Sequence, residues 1–192
     1  MIRSFILLII IVITSFIGRA SHVFGGDLTW TWQGVDYVLQ LTVYRDCNGA
    51  VVNTSLETIE VWGHPTISSI PLNFISKTDV SPFCTEVPGG PLSLDCGTGQ
   101  AGGNGIGAIE KAIYKSAPIT LTGTPPPEGW VFTFQNFSRS GSLTNITNPS
   151  TYGITITAKM FAIPGSPGSC VDNSPQFLQE PYFVSCVGDP YE

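Results

Sequence analysis

Basic and histidine side chains are scarce in this chain of 192 residues. It holds eight Lys and Arg against 14 Asp and Glu, so its formal net charge is −6, and it holds two histidines, His22 and His64. A nucleic-acid binder needs clustered Lys and Arg to neutralise phosphates, so the composition argues against that class of partner. Histidine is rare and no Cys-x-x-Cys pair is present, so the sequence predicts no metal site.

Catalytic patterns are also missing. His22 and His64 are the only side chains expected to act as a base near neutral pH, and no Gly-x-Ser-x-Gly nucleophile motif occurs. The segment Gly97–Gly102 matches Gly-x-Gly-x-x-Gly, but it lacks the strand and helix that a dinucleotide site requires, and we interpret it as a surface loop. We expect a protein that is not an enzyme and binds no cofactor; a secreted hydrolase is the weakest alternative.

Long apolar runs are confined to the first residues. Arg3 precedes the run Phe5–Ile13, and small residues occupy the last and third-last positions of residues 1–20. This layout is typical of a secretory signal peptide, whereas a membrane anchor needs roughly 20 apolar residues. We therefore expect residues 1–20 to be removed before Ser21 and no later segment to cross a bilayer. The first 20 residues hold two cations and no acid, so the exported chain has a net charge of −8.

Alternation of apolar and polar residues is the main pattern in the rest of the chain. Hydrophobic residues make up 42%, enough for a core, and the dense Gly and Pro separate the runs into short strands. The sequence predicts an all-β fold over residues 21–187, an antiparallel β-sandwich (Ig-like or jelly-roll-like) with long Gly/Pro-rich loops. Only 108–116 has any helical character. The residues predicted to face inward are Leu28, Trp30, Trp32, Tyr37, Leu39, Leu41, Val43, Ile59, Val61, Trp130, Phe132, Phe134, Ile154, Ile156, Ala158 and Met160.

Trp62 departs from this inward pattern. It falls on the opposite face of its predicted strand from Ile59 and Val61. Large aromatic side chains usually pack in a core, so an outward tryptophan is a candidate ligand contact. A flat indole ring on a sheet surface could stack against a sugar.

The five cysteines are Cys47, Cys84, Cys96, Cys170 and Cys186. In an exported protein, they favour disulfides over metal ligation or redox chemistry. Five is an odd number, so at least one thiol has no partner within this chain.

Four stretches resemble a known family. They are ASHVFGGDLTWTWQGVDYVLQLTVYRDCNG (20–49), AIEKAIYKSAPITL (108–121), SLTNITNPSTYGITITA (142–158) and DNSPQFLQEPYFVSCVGDPYE (172–192). Together they are similar to the N-terminal region of large secreted Bacteroidota surface proteins of the gliding-motility-associated, type IX secretion (type B sorting) kind, which often carry PKD-like or Ig-like repeats.

The resemblance implies a non-catalytic N-terminal β-domain of an exported cell-surface protein, with a structural or adhesive role linked to gliding motility. The family reaches the outer-membrane surface through the type IX secretion machinery by means of a C-terminal sorting domain. A following module would begin at residues 188–192. Surface glycans or other cell-surface proteins are the expected partners, and a carbohydrate-binding module of a larger secreted protein is the alternative.

The cysteines depart from the family pattern. Family members often carry Cys-Cys-Arg-Asn where this chain has Asn136–Ser142, and that loss of thiols indicates a free Cys47. The pairings expected on this basis are Cys84 with Cys96 and Cys170 with Cys186, because both close short loops.

Overall fold

The computed structural model describes residues 23–82, 94–97, 102–105, 107–137, 139–140, 143–163 and 172–178. Those residues form seven β-strands and one short 3-10 helix, Pro149–Thr151. The strands are β1 Val23–Gln33, β2 Asp36–Asp46, β3 Leu56–Trp62, β4 Ser69–Asp79, β5 Ile109–Lys115, β6 Trp130–Asn136 and β7 Ile154–Met160. The predicted signal peptide, His22, Cys84, Cys170, Cys186 and residues 188–192 lie outside the described residues.

The seven strands form one sheet in the order β1-β2-β5-β4-β3-β6-β7, and every neighbouring pair is antiparallel. The all-β antiparallel class is therefore confirmed. The sheet curves until β1 and β7 contact each other, so the architecture is one nearly closed, barrel-like sheet rather than the predicted sandwich of two sheets. With an odd number of antiparallel strands, the first and last run parallel, and they meet without joining in the sheet's hydrogen-bond ladder.

The core fills the inside of this curved sheet. All of the residues predicted to face inward are buried or pack against the core, and Trp32, Ile154 and Ala158 are the partly buried ones. β4 and β5 add the buried side chains Ile70, Leu72, Ala112 and Tyr114. Period-two alternation therefore identified the inner face of five strands correctly.

The segment 108–116 is a strand, not a helix. Its residues Ile109–Lys115 form β5, which pairs with β2 on one side and β4 on the other. Ala112 and Tyr114 alternate into the core, and this period of two decides against helical character. The two family-like stretches around residues 44–47 and 108–121 are thus neighbours in the sheet.

One disulfide joins Cys47 and Cys96, whose Cα atoms are 5.1 Å apart. The prediction of a disulfide is confirmed for Cys96, but the expected Cys84–Cys96 pair and the free Cys47 are both wrong. The reason is the sheet register: the Cys47 amide donates to the carbonyl of Ala108 at 3.0 Å, and the Cys96 amide donates to the carboxylate of Asp79 at 2.7 Å. The ends of β2, β4 and β5 therefore bring together two cysteines that are distant in sequence.

Candidate functional site

Trp62 lies at the end of β3 with 61% of its surface exposed, as its position in the alternation predicted. Its register partner on β6 is Val131, and Val131 in turn pairs with Lys159 on β7. The indole therefore stands on the outer surface of the sheet, in one row with an apolar side chain and an ammonium group.

The next row of the same surface is polar. Glu60 pairs with Thr133 on β6, and Thr133 pairs with Thr157 on β7. We call the surface formed by Trp62, Glu60, Thr133, Thr157 and Lys159 the Trp62 face. It combines a flat apolar ring with a carboxylate, hydroxyls and an ammonium, which together can contact a polar molecule that also has apolar faces.

A cavity of about 520 Å³ lies elsewhere, on the outer surface of β1, β2 and β5. We call it the first-hairpin cavity. Residues 176–178 form part of its rim, and the lining includes Asp27, Thr29, Gln40, Thr42, Tyr44 and Lys111. Its volume lies within the range of about 300–1,000 Å³ that is usual for ligand pockets.

The sheet register sets the geometry of this cavity. Asp27 and Thr29 on β1 are opposite Thr42 and Gln40 on β2, and the Gln40 side-chain amide donates to the Thr42 hydroxyl at 3.4 Å. Thr29 and Thr42 are both buried although they face away from the core. The sequence analysis assigned no site to this polar side of the hairpin, although its row of hydroxyl and amide side chains with few charges was a signal that could have found it.

Residues 172–174 fix the position of the rim. The carbonyl of Trp30 accepts from the Ser174 amide at 3.1 Å, and the Trp30 amide donates to the Ser174 hydroxyl at 2.9 Å. The Trp32 amide donates to the Asn173 side-chain oxygen at 2.7 Å, and the Trp30 indole donates to the carbonyl of Asp172 at 3.1 Å. The Ser174 hydroxyl also donates to the carbonyl of Trp30 at 3.3 Å. Five hydrogen bonds thus hold this segment along the outer edge of β1, directly before the residues that border the cavity.

A buried ion pair lies at the end of the first hairpin, on the inner side of the same strands. Arg45 is 1% exposed, and its Nε donates to Glu110 Oε1 at 2.8 Å. Lys77 Nζ lies 3.2 Å from the other oxygen of Glu110. The guanidinium also donates to the carbonyls of Asp46, Gly49 and Ala50. These contacts are all within the fold, so this charge cluster stabilises the turn after β2.

The His64 side chain stabilises the turn that follows it. Its Nδ1 accepts from the backbone amides of Thr66 at 3.3 Å and Ile67 at 3.1 Å, and its ring centroid lies 4.7 Å from that of Trp130. Burial lowers the pKa of the imidazole, and a backbone contact with Thr122 offsets part of that effect. The imidazole is therefore kept neutral, with one nitrogen used as a structural acceptor.

A second, smaller cavity of about 190 Å³ is bordered by Glu57 and Tyr114. Burial raises the pKa of the Glu57 carboxyl, and a side-chain hydrogen bond from Asn53 partly offsets this. The Tyr114 hydroxyl donates to the Asn53 carbonyl at 2.7 Å, and burial, with a smaller effect of the Glu57 charge, raises the pKa of this phenol. The phenol thus ties β5 to the segment before β3.

The part of the chain that the structure describes contains no group of three or more His, Cys, Asp or Glu placed to hold a metal ion. Within that same part, no helix has the length and apolar character needed to span a membrane. No protein-family model, curated protein or solved structure matches the chain significantly.

Proposed function

We propose that this chain is a non-catalytic β-domain of an exported cell-surface protein and that its role is structural or adhesive. The observation that carries the proposal is the exposure of Trp62, at 61%, on an open sheet surface. Leaving so large an apolar group in water forgoes the stabilisation that burial would give, and tryptophan is enriched at the cores of interfaces, where it often contributes most to binding. The adhesive contact is therefore assigned to the Trp62 face.

Three further features support export to the surface of a gliding bacterium. The chain has four stretches similar to that family, and residues 1–20 have the pattern of a signal peptide. A Cys47–Cys96 disulfide also suits an oxidising compartment. N-terminal sequencing of the secreted protein should begin at Ser21, and a start at Met1 would contradict export by this leader.

The adhesive role is tested by flow cytometry of the labelled, secreted protein on intact cells of a gliding Bacteroidota species. Trp62→Ala should lower binding at least about tenfold, because central tryptophans of interfaces contribute about 2 kcal/mol or more. The matched control is Tyr152→Ala, which removes another aromatic ring that is 55% exposed. Absence of binding by the wild-type protein, or equal binding by the Trp62 variant, would refute the proposal.

Carbohydrate binding at the Trp62 face is the second candidate. The observation that favours it is the row of polar groups beside the indole, with Glu60 and Lys159 both exposed. A glycan array would show glycans that the wild type binds, that Trp62→Ala loses and that Thr42→Val in the first-hairpin cavity keeps. An empty array at high protein concentration would leave a protein partner as the ligand of the Trp62 face.

A further inference from the structure

The first-hairpin cavity has the composition of a recognition site for hydroxylated ligands. Thr29 and Thr42 each contribute a hydroxyl that can both donate and accept a hydrogen bond, and the Gln40 amide also does both. A sugar presents neighbouring hydroxyls that donate and accept in the same way. Buried polar groups that match such a ligand discriminate strongly against molecules that lack its hydroxyls.

The charges of the lining cancel each other. Asp27 supplies a carboxylate and Lys111 an ammonium, and the side chains between them are neutral. A phosphate or carboxylate ligand would gain from Lys111 but be repelled by Asp27 and by the net charge of −6 of the chain. A cation would meet the opposite arrangement. The cavity therefore favours a ligand with no net charge.

An aromatic ring stands at the rim of the same cavity. Phe177 is 68% exposed, and the neighbouring Leu178 is fully exposed. The hydrogen bonds of residues 172–174 to β1 place this ring beside the polar lining. Saccharides combine hydroxyl groups with apolar C–H faces, so a polar floor next to an aromatic ring complements both parts of such a ligand.

We propose that the first-hairpin cavity binds a neutral saccharide of one or two rings. Its hydroxyls contact Thr29, Gln40 and Thr42, and Phe177 packs against its C–H face. The site lies on β1, β2 and β5, whereas Trp62 lies on β3. The proposal is therefore independent of the Trp62 face, and either can fail without the other.

The test is a titration of the full secreted chain with an array of neutral mono- and disaccharides, followed by calorimetry on the sugar that binds. Thr42→Val keeps the shape of the side chain and removes its hydroxyl, so we expect binding to weaken at least about tenfold. Thr58→Val is the control, because Thr58 is also a threonine on the outer surface of the sheet, on β3, but belongs to neither the first-hairpin cavity nor the Trp62 face. It should leave saccharide binding unchanged.

Phe177→Ala is the second variant, because an exposed side chain can be removed without affecting folding. It should also weaken binding, while Trp62→Ala should not. The proposal is overturned if no neutral saccharide binds, if Thr42→Val and Phe177→Ala bind as the wild type does, or if only Trp62→Ala abolishes binding. It is equally overturned if the cavity takes a zwitterionic amino acid such as glycine in preference to every sugar, since Asp27 and Lys111 would then be the whole site.

Discussion

Substitution of Arg45 by methionine would test whether the buried ion pair stabilises the end of the first hairpin. Methionine keeps much of the aliphatic volume but removes the guanidinium, which is 1% exposed and donates to Glu110 at 2.8 Å. Glu110 is then left in a buried position with the half-exposed ammonium of Lys77 at 3.2 Å. The three turn carbonyls that accept from the guanidinium lose their donor in the same step.

The expected loss is about 4 kcal/mol of unfolding free energy. Removing one partner of a buried ion pair costs roughly 3–5 kcal/mol, because the other charge stays buried without compensation. The lost carbonyl contacts are part of that cost rather than an addition to it, since the same guanidinium makes all of them. With a urea m-value of about 2 kcal/mol/M, this loss lowers the midpoint of unfolding by about 2 M.

The assay is equilibrium unfolding in urea with the disulfide intact, followed by tryptophan fluorescence, to which the buried Trp30 and Trp130 contribute. Lys77→Met is the control and should cost less than about 1 kcal/mol, because an exposed member of an ion pair contributes little. Arg45→Met combined with Glu110→Leu should recover part of the loss, because no uncompensated charge then remains. A midpoint shift below about 0.5 M for Arg45→Met, or a double variant as unstable as the sum of the single ones, would refute the reasoning.

Three further predictions concern stability. Replacing Cys47 by serine opens a disulfide that spans 49 residues and should cost about 4 kcal/mol by the loss of chain constraint; unchanged urea midpoints with and without reductant would contradict this. Gly26→Ala should lower the free energy of unfolding by about 2 kcal/mol, because the new Cβ overlaps a carbonyl oxygen of β2. Gly25→Ala is the control. Its Cβ has open space, so the loss in the same urea titration should be less than about 0.5 kcal/mol. Burial lowers the pKa of His64 in the folded state. The stabilisation from its neutral ring is therefore present above about pH 6.5 and is lost as the pH falls below that value. The melting temperature should fall more steeply below about pH 6.5 in the wild type than in His64→Asn, which keeps an acceptor for the turn amides.

The strands could be predicted from sequence because alternation is a local property. Residues such as Trp130 and Phe132 face the core wherever their strand sits in a sheet, so their orientation needs no knowledge of topology. The arrangement into one nearly closed sheet depends on the pairings β2–β5 and β3–β6, which join segments far apart in the chain. Alternation carries no information about such pairings, so a sandwich and a nearly closed sheet give the same pattern of apolar and polar residues in the sequence.

The same distinction separates the two candidate sites. In a strand with inward-facing Ile59 and Val61, the alternation places Trp62 on the opposite, outer face. Its exposure was therefore predicted correctly. The first-hairpin cavity needs residues 176–178 as part of its rim, and the disulfide needs two cysteines 49 positions apart. A preference for short loops therefore chose the wrong partner for Cys96, because the register of the strands decides which thiols meet.

The register of β2 and β5 links stability to the proposed saccharide site. Arg45 is opposite Glu110 on the inner side, and the adjacent residues Tyr44 and Lys111 are opposite each other on the outer side, where they border the cavity. A slip of one residue between these strands would exchange the two faces, burying Lys111 and exposing Glu110. The buried ion pair penalises that slip, because the misplaced charges would lose their partners. The inner pair thus keeps the cavity-lining side chains on the outer surface, so Arg45→Met should weaken saccharide binding although Arg45 does not border the cavity.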